Sequence, residues 1–145
     1  MFKHQIKKCL SVIAFAVILL AESCATISKF DQYSYTQATS LKVDALNVMN
    51  SAADSFCIHQ SEVAQLRTML SKIYEYEKSK PKNTVTTRMW GVLIDSTGSS
   101  LGGFLTRWRK ETRLDTAFIS GSRQLIGGSF DQISGLESGK LKANN

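Results

Sequence analysis

The sequence predicts an all-α protein, a small bundle of four or five helices that follows a cleaved N-terminal signal peptide. Three observations carry this. Beyond the leader, apolar residues recur at spacings of three and four, the helical period. The 145 residues include a single proline, Pro81, so little interrupts a helix. The one segment rich in strand-favouring residues, Thr84 to Ile94, has no obvious strand partner elsewhere.

Each helix has its own stripe. Tyr35, Ala38, Leu41, Ala45, Val48, Met49, Ala52 and Phe56 share one face, with Asp44, Asn47 and Asp54 between them, which predicts a first helix over roughly 34–56. Phe56 to Ser61 reads as a turn, with Ser61 placed to cap a second helix and Glu62 suited to its positive end. Val63, Leu66, Leu70, Ile73 and Tyr74 form the stripe of that helix, expected over 62–78. The short connection makes the first two helices an antiparallel hairpin. Met89, Val92 and Leu93 favour a helix over 84–94. Asp95 to Ser100 reads as a turn, and Leu101, Phe104, Leu105 and Trp108 belong to the next helix. Leu114, Ala117, Phe118, Gly121, Leu125, Ile126, Phe130, Ile133 and Leu136 place a last helix over 115–137. Gly127 and Gly128 inside it mark a kink or a close backbone approach, because each glycine costs on the order of 1 kcal/mol relative to alanine. Gly98 and Gly102, four apart, suit close helix packing. The run Gly98 to Gly103 lacks the lysine and spacing of a phosphate-binding loop.

At the N-terminus, Lys3, Lys7 and Lys8 precede the apolar run Leu10 to Ala21, 12 residues long. That length suits a secretory h-region and falls short of the roughly 20 residues a spanning helix needs. Ala21-Glu22-Ser23-Cys24 follows. Ser23 and Cys24 resemble the lipobox of bacterial lipoproteins, from which Glu22 departs and in which leucine is more usual than Ala21. The resemblance implies cleavage before Cys24 and a diacylglyceryl group on its sulfur, with an ordinary secreted protein as the alternative. Because Ala25 and Thr26 are not acidic, it also implies outer-membrane sorting with the domain facing the periplasm. The chain thus divides into a signal peptide (1–23), a lipid-anchored linker (24–34), a helical domain (35–138) and a frayed tail (139–145).

Cysteine usage points the same way. Cys9 leaves with the leader, so Cys24 and Cys57 remain, and about 20 intervening helical residues would hold them roughly 30 Å apart. A disulfide needs Cα atoms within about 7 Å. A lipidated Cys24 and a buried, unreactive Cys57 are the simplest resolution.

The span from Cys24 carries 15 basic and 11 acidic side chains, a net of +4, against +6 for the whole chain. In an exported protein this balance argues against nucleic acid. Anionic lipid, a cell-wall polymer or an envelope protein remain as electrostatic partners. The densest basic and aromatic cluster is Arg107, Trp108, Arg109 and Lys110, with Arg113 a turn later. It reads either as helix-end chemistry or as a docking surface with Trp108 as its anchor.

No catalytic set emerges, and no cofactor or metal site is expected. Cys57 and His59 lie two apart without an evident orienting third group, and with Glu62 they form no recognised zinc spacing. The carboxylates are scattered as Asp31, Asp44, Asp54, Glu62, Glu75, Glu77, Asp95, Glu111, Asp115, Asp131 and Glu137, and Glu75 and Glu77 read as solvated charges. The expectation is a structural or interaction module of the cell envelope, anchored in the membrane by lipid. An inhibitor or immunity-type protein capping an envelope enzyme is one alternative. A hydrolase is the other, and it would require two distant carboxylates to meet in a concave pocket.

Overall fold

A computed structural model describes Ser28 and residues 30–139 of the chain; the signal peptide, Cys24 and the tail beyond Gly139 lie outside the described residues. The fold is all-α, with five helices and no strands among those residues. They are α1 (Gln32–Asn50), α2 (Gln60–Ser79), α3 (Thr84–Ile94), α4 (Leu101–Glu111) and α5 (Thr116–Glu137). Two short 3-10 turns, Ser51–Ala53 and Phe56–His59, link α1 to α2.

α1 begins earlier than the periodicity predicts because Asp31 caps it, its carboxylate accepting from the amides of Tyr33 and Ser34. The last residues of the expected linker are therefore already helical. The helix also ends earlier. After Asn50 the chain tightens into the first 3-10 turn and then extends at Asp54, so that Ala52 and Phe56 reach the core from irregular backbone. α2 starts at Gln60, which puts Ser61 inside its first turn rather than at the cap. The segment 84–94 is helical, and its buried Thr86, Trp90 and Leu93 show why: spaced by four and three, they form one helical face that enters the core. Asp115 caps α5 through the amides of Ala117 and Phe118.

The long helices run antiparallel. The start of α1 meets the end of α2 at Ser34 and Glu77, and Lys42 of α1 bonds Asp131 of α5 at 2.6 Å. α5 is the main packing partner of α1, with α2 flanking α1 and α3 bridging α2 and α5. α4 lies across the far end, where Phe56 packs edge-on to Trp108 with ring centroids 5.3 Å apart. There the Phe56 amide donates to the Thr112 carbonyl and the Leu114 amide to that of Ala52, both at 2.8 Å. Trp90, Trp108, Phe130, Leu66, Leu93 and Ile133 lie at the centre of one continuous core.

The glycines divide by location. A Cβ on Gly102 would collide with the Ile94 carbonyl and the Asp95 backbone, and one on Gly103 with the Gly98 carbonyl. The close approach at Gly102 is thus between α4 and the C-terminal end of α3 with the turn that follows it, and Gly98 itself lies in that turn. Gly127 faces Lys42 and Leu46 at ordinary contact distance, while Gly128 meets nothing. α5 runs through both as one helix, and no backbone of another element comes close to either.

Candidate functional site

At one end of the bundle the core stops being apolar. The buried stripe of α1 starts at Ser34, before Ala38 and Leu41, and that of α3 starts at Thr86, before Trp90 and Leu93. The stripe of α2 ends, after Leu70 and Ile73, at Glu77, and that of α5, after Phe130 and Ile133, at Glu137. Antiparallel packing brings these four positions together, joined by Asn83 from the α2–α3 loop. Glu77 is fully buried, contrary to its reading as a solvated charge.

Every side chain in the cluster has a partner. Ser34 donates its hydroxyl proton to Glu77 Oε1, and Asn83 Nδ2 donates to Glu77 Oε2 at 2.5 Å and to the Glu77 carbonyl at 2.8 Å. Thr86 donates to Glu137 Oε1 at 3.1 Å. Lys80 closes the set: its Nζ lies 3.1 Å from Glu77 Oε2, 3.5 Å from Glu137 Oε2 and 3.3 Å from Asp31 Oδ2, and it donates to Ser34 Oγ at 2.9 Å. Tyr76 donates to Asp31 Oδ2 at 2.8 Å, and Ser28 donates to Asn83 Oδ1 at 3.0 Å, tying the chain just before α1 to the same point. Buried charges survive only when paired and hydrogen-bonded in this way.

The electrostatics follow from the geometry. Burial pushes the Asp31 carboxyl up, but the Tyr76 hydroxyl, the Ser34 amide and the Lys80 charge outweigh it and hold the group down at about 2. Burial likewise disfavours charge on Lys80, yet hydrogen bonding and attraction from Glu77, with Glu137 behind it, raise the ammonium above its ordinary value. Glu137 is pushed up by burial and by the negative charge of Glu77, against the pull of Lys80 and Thr86.

Beside this cluster lies an open groove of about 490 Å³, walled by Tyr74, Lys78, Lys82, Thr87, Arg88 and Val92 among others. Lys80 and Asn83 separate it from the buried acids. Among the described residues, no carboxylate lines this groove. Two distant carboxylates do meet, as the hydrolase alternative requires, but their oxygens face Ser34, Lys80, Asn83 and Thr86 rather than a concave surface.

The basic cluster predicted from sequence sits at the opposite end. Trp108 is fully buried, its indole N–H donating to the Asp54 carbonyl at 3.0 Å, and it cannot serve as a surface anchor. The spacing from Leu101, Phe104 and Leu105 turns it inward. Its exposed neighbours Arg107 and Arg109 diverge on either side. Arg107 pairs with Glu111 at 2.9 Å and lies 4.1 Å over the Phe118 ring. Arg109 faces the half-buried Arg67, whose pKa is lowered by burial and by that neighbouring charge. Lys110 and Arg113 are exposed beyond them.

Cys57 is exposed, not buried, because the 3-10 turn commits Phe56 to the core and points its successor outward. His59 packs on Trp108 with Nδ1 3.0 Å from Glu62 Oε2 and Nε2 3.9 Å from Asp54 Oδ2. No group of three potential metal ligands occurs among the described residues. Comparison with protein-family models, with curated proteins and with solved structures finds no match for this chain.

Proposed function

We propose that the protein is an exported cell-envelope lipoprotein, anchored through Cys24, whose helical bundle is an interaction module rather than a catalyst. The observation that carries the reading is the leader: a basic start, an apolar run of 12 residues and Ser23-Cys24 in lipobox position. The architecture of the body supports it. Among the described residues no helix is long and apolar enough to cross a membrane. The buried acids are consumed by Lys80, Ser34, Asn83 and Thr86, a network that fastens four helices at one end and leaves the surface to partners. Outer-membrane placement facing the periplasm is part of the same proposal, resting on the lipobox resemblance and the non-acidic Ala25 and Thr26.

Metabolic labelling with a radiolabelled fatty acid tests it. The natural chain takes up label and Cys24→Ser does not; label on both forms, or on neither, defeats the assignment. Crosslinking in intact cells, followed by pull-down from solubilised membranes, then addresses the module itself, for which a stoichiometric envelope partner is the expected yield.

A further inference from the structure

We propose that the end of the bundle where α1 begins docks against the leaflet that holds the Cys24 lipid, with phospholipid headgroups as its occupant and the opposite end left facing away. This rests on the lipoprotein reading and adds an orientation to it.

The reach of the tether comes first. Ser28 is fixed to Asn83 at this end of the bundle. Only three residues, Ala25 to Ile27, separate it from Cys24, four chain steps with a reach of at most about 14 Å when fully extended. The 19 residues of α1 carry the chain about 28 Å away, to the end formed by Ala52, Phe56 and Trp108. A lipid on Cys24 therefore holds one particular end of the body at the membrane interface.

That end has the surface chemistry of an interface. Phe30 and Tyr33 are each more than half exposed, and Tyr33 stacks edge-on against the partly exposed Tyr76 at 4.8 Å. The Tyr76 hydroxyl is tied to Asp31, so the pair is held rigid with its apolar faces outward. Aromatic rings with a polar tip settle at the headgroup level. Beside them, Lys82 and Arg88 present exposed cations along the groove, and Lys78 adds a third that it shares with Glu75 3.6 Å away. The acidic groups at this end are largely occupied: Glu75 pairs with Lys78, while Asp31, Glu77 and Glu137 surround Lys80. Each basic residue near an anionic leaflet strengthens its attraction about fivefold.

The inference also reassigns the basic cluster at the other end. With the body docked, Arg107, Arg109, Lys110 and Arg113 point into the periplasm and are placed for a soluble or wall-borne partner, not for the anchoring leaflet.

Cys57 supplies the test, since it is an exposed free thiol at the distal end. The lipidated full chain is purified in detergent, reconstituted into phosphatidylethanolamine–phosphatidylglycerol vesicles and labelled with a fluorophore at Cys57. A second preparation carries the label at Ser79→Cys in a Cys57→Ser background. Headgroup-attached nitroxide lipid should quench the Ser79→Cys label strongly and the Cys57 label little. Changing Lys78, Lys82 and Arg88 to Gln should lower the ratio of docked to undocked molecules on the order of a hundredfold and shrink that difference, with the circular dichroism unchanged. Equal quenching at the two positions in a chain that carries the acyl group overturns the docking inference and leaves the lipoprotein reading intact. Absence of the acyl group from the purified natural chain overturns both.

Discussion

Ser34 and Glu77, in the terminal turns of two antiparallel helices and 43 residues apart in sequence, share a hydrogen bond with neither residue open to solvent. A buried carboxylate is a burden on a small domain unless its charge and both its oxygens are answered. Here Ser34, Asn83 and Lys80 answer them, and the same lysine reaches Asp31 and Glu137. One cation thus holds the start of α1 and the ends of α2 and α5 at a common point. The corresponding experiments begin there.

Lys80→Met removes the counter-ion from three carboxylates while keeping most of the stem's volume. It should cost about 3–5 kcal/mol at pH 7, the usual penalty for breaking a buried pair from one side. Without the ammonium, the Asp31 and Glu137 carboxyls lose the charge that lowers them, so their folded-state pKa values rise and their protonation relieves the repulsion. The deficit should therefore shrink as pH falls from 7 to 4 in chemical-denaturation curves. A deficit independent of pH would mean that packing, not charge, accounts for the loss.

Glu137→Gln has the opposite sign in its electrostatics. A carboxyl whose folded pKa is raised, as burial and Glu77 raise this one, costs stability as pH climbs above its unfolded value. The amide still accepts from Thr86 and leaves Lys80 with Glu77 and Asp31. The variant should match the natural chain within about 1 kcal/mol at pH 7 and gain relative to it as pH rises from 5 to 8. A large loss at pH 7 would refute this division of roles within the cluster.

Asp31 acts in the other direction. Its folded value of about 2 lies below the model-compound 3.8, so its contribution is complete above pH 3.8 and disappears as pH falls toward 2. Asp31→Ala should cost about 2 kcal/mol at neutral pH, combining the lost cap with the lost pairing to Lys80 and Tyr76. Melting curves of the two proteins should converge near pH 2. Parallel curves down to that pH would leave the cap alone as the cause.

Gly102→Ala tests the turn that seats α4. The added methyl meets the backbone of Ile94 and Asp95, which cannot swing aside as a side chain could. A loss of about 1–3 kcal/mol is expected, against about 0.5–1 kcal/mol gained at Gly128→Ala, where the helix has open space. Equal effects at the two positions would contradict the close approach.

Most of the architecture is readable from periodicity. Leu41, Ala45 and Met49, Leu66, Leu70 and Ile73, and Phe130 and Ile133 are core residues at the positions their spacing demands. Even 84–94, whose residues favour a strand, is a helix because Trp90 and Leu93 have a core to enter. The polar cluster was legible in part. Glu77 follows Ile73 by four, Glu137 follows Ile133 by four, Thr86 precedes Trp90 by four and Ser34 precedes Ala38 by four, so each extends an apolar stripe by one step. That continuation marks them as inward-facing. What spacing alone does not supply is the antiparallel register that gathers the four, or the loop lysine that makes their burial tolerable. Cys57 and Trp108 show the complementary limit: a single 3-10 turn decides which of Phe56 and Cys57 enters the core, and an aromatic amid arginines is drawn inward by its place on the α4 stripe.

The central claim is attachment through Cys24, and the intact mass of the protein extracted from membranes tests it most directly. The extracted chain should begin at Cys24 and carry the added mass of a diacylglyceryl group. A chain that retains Met1, or one whose Cys24 is a free thiol, would contradict it.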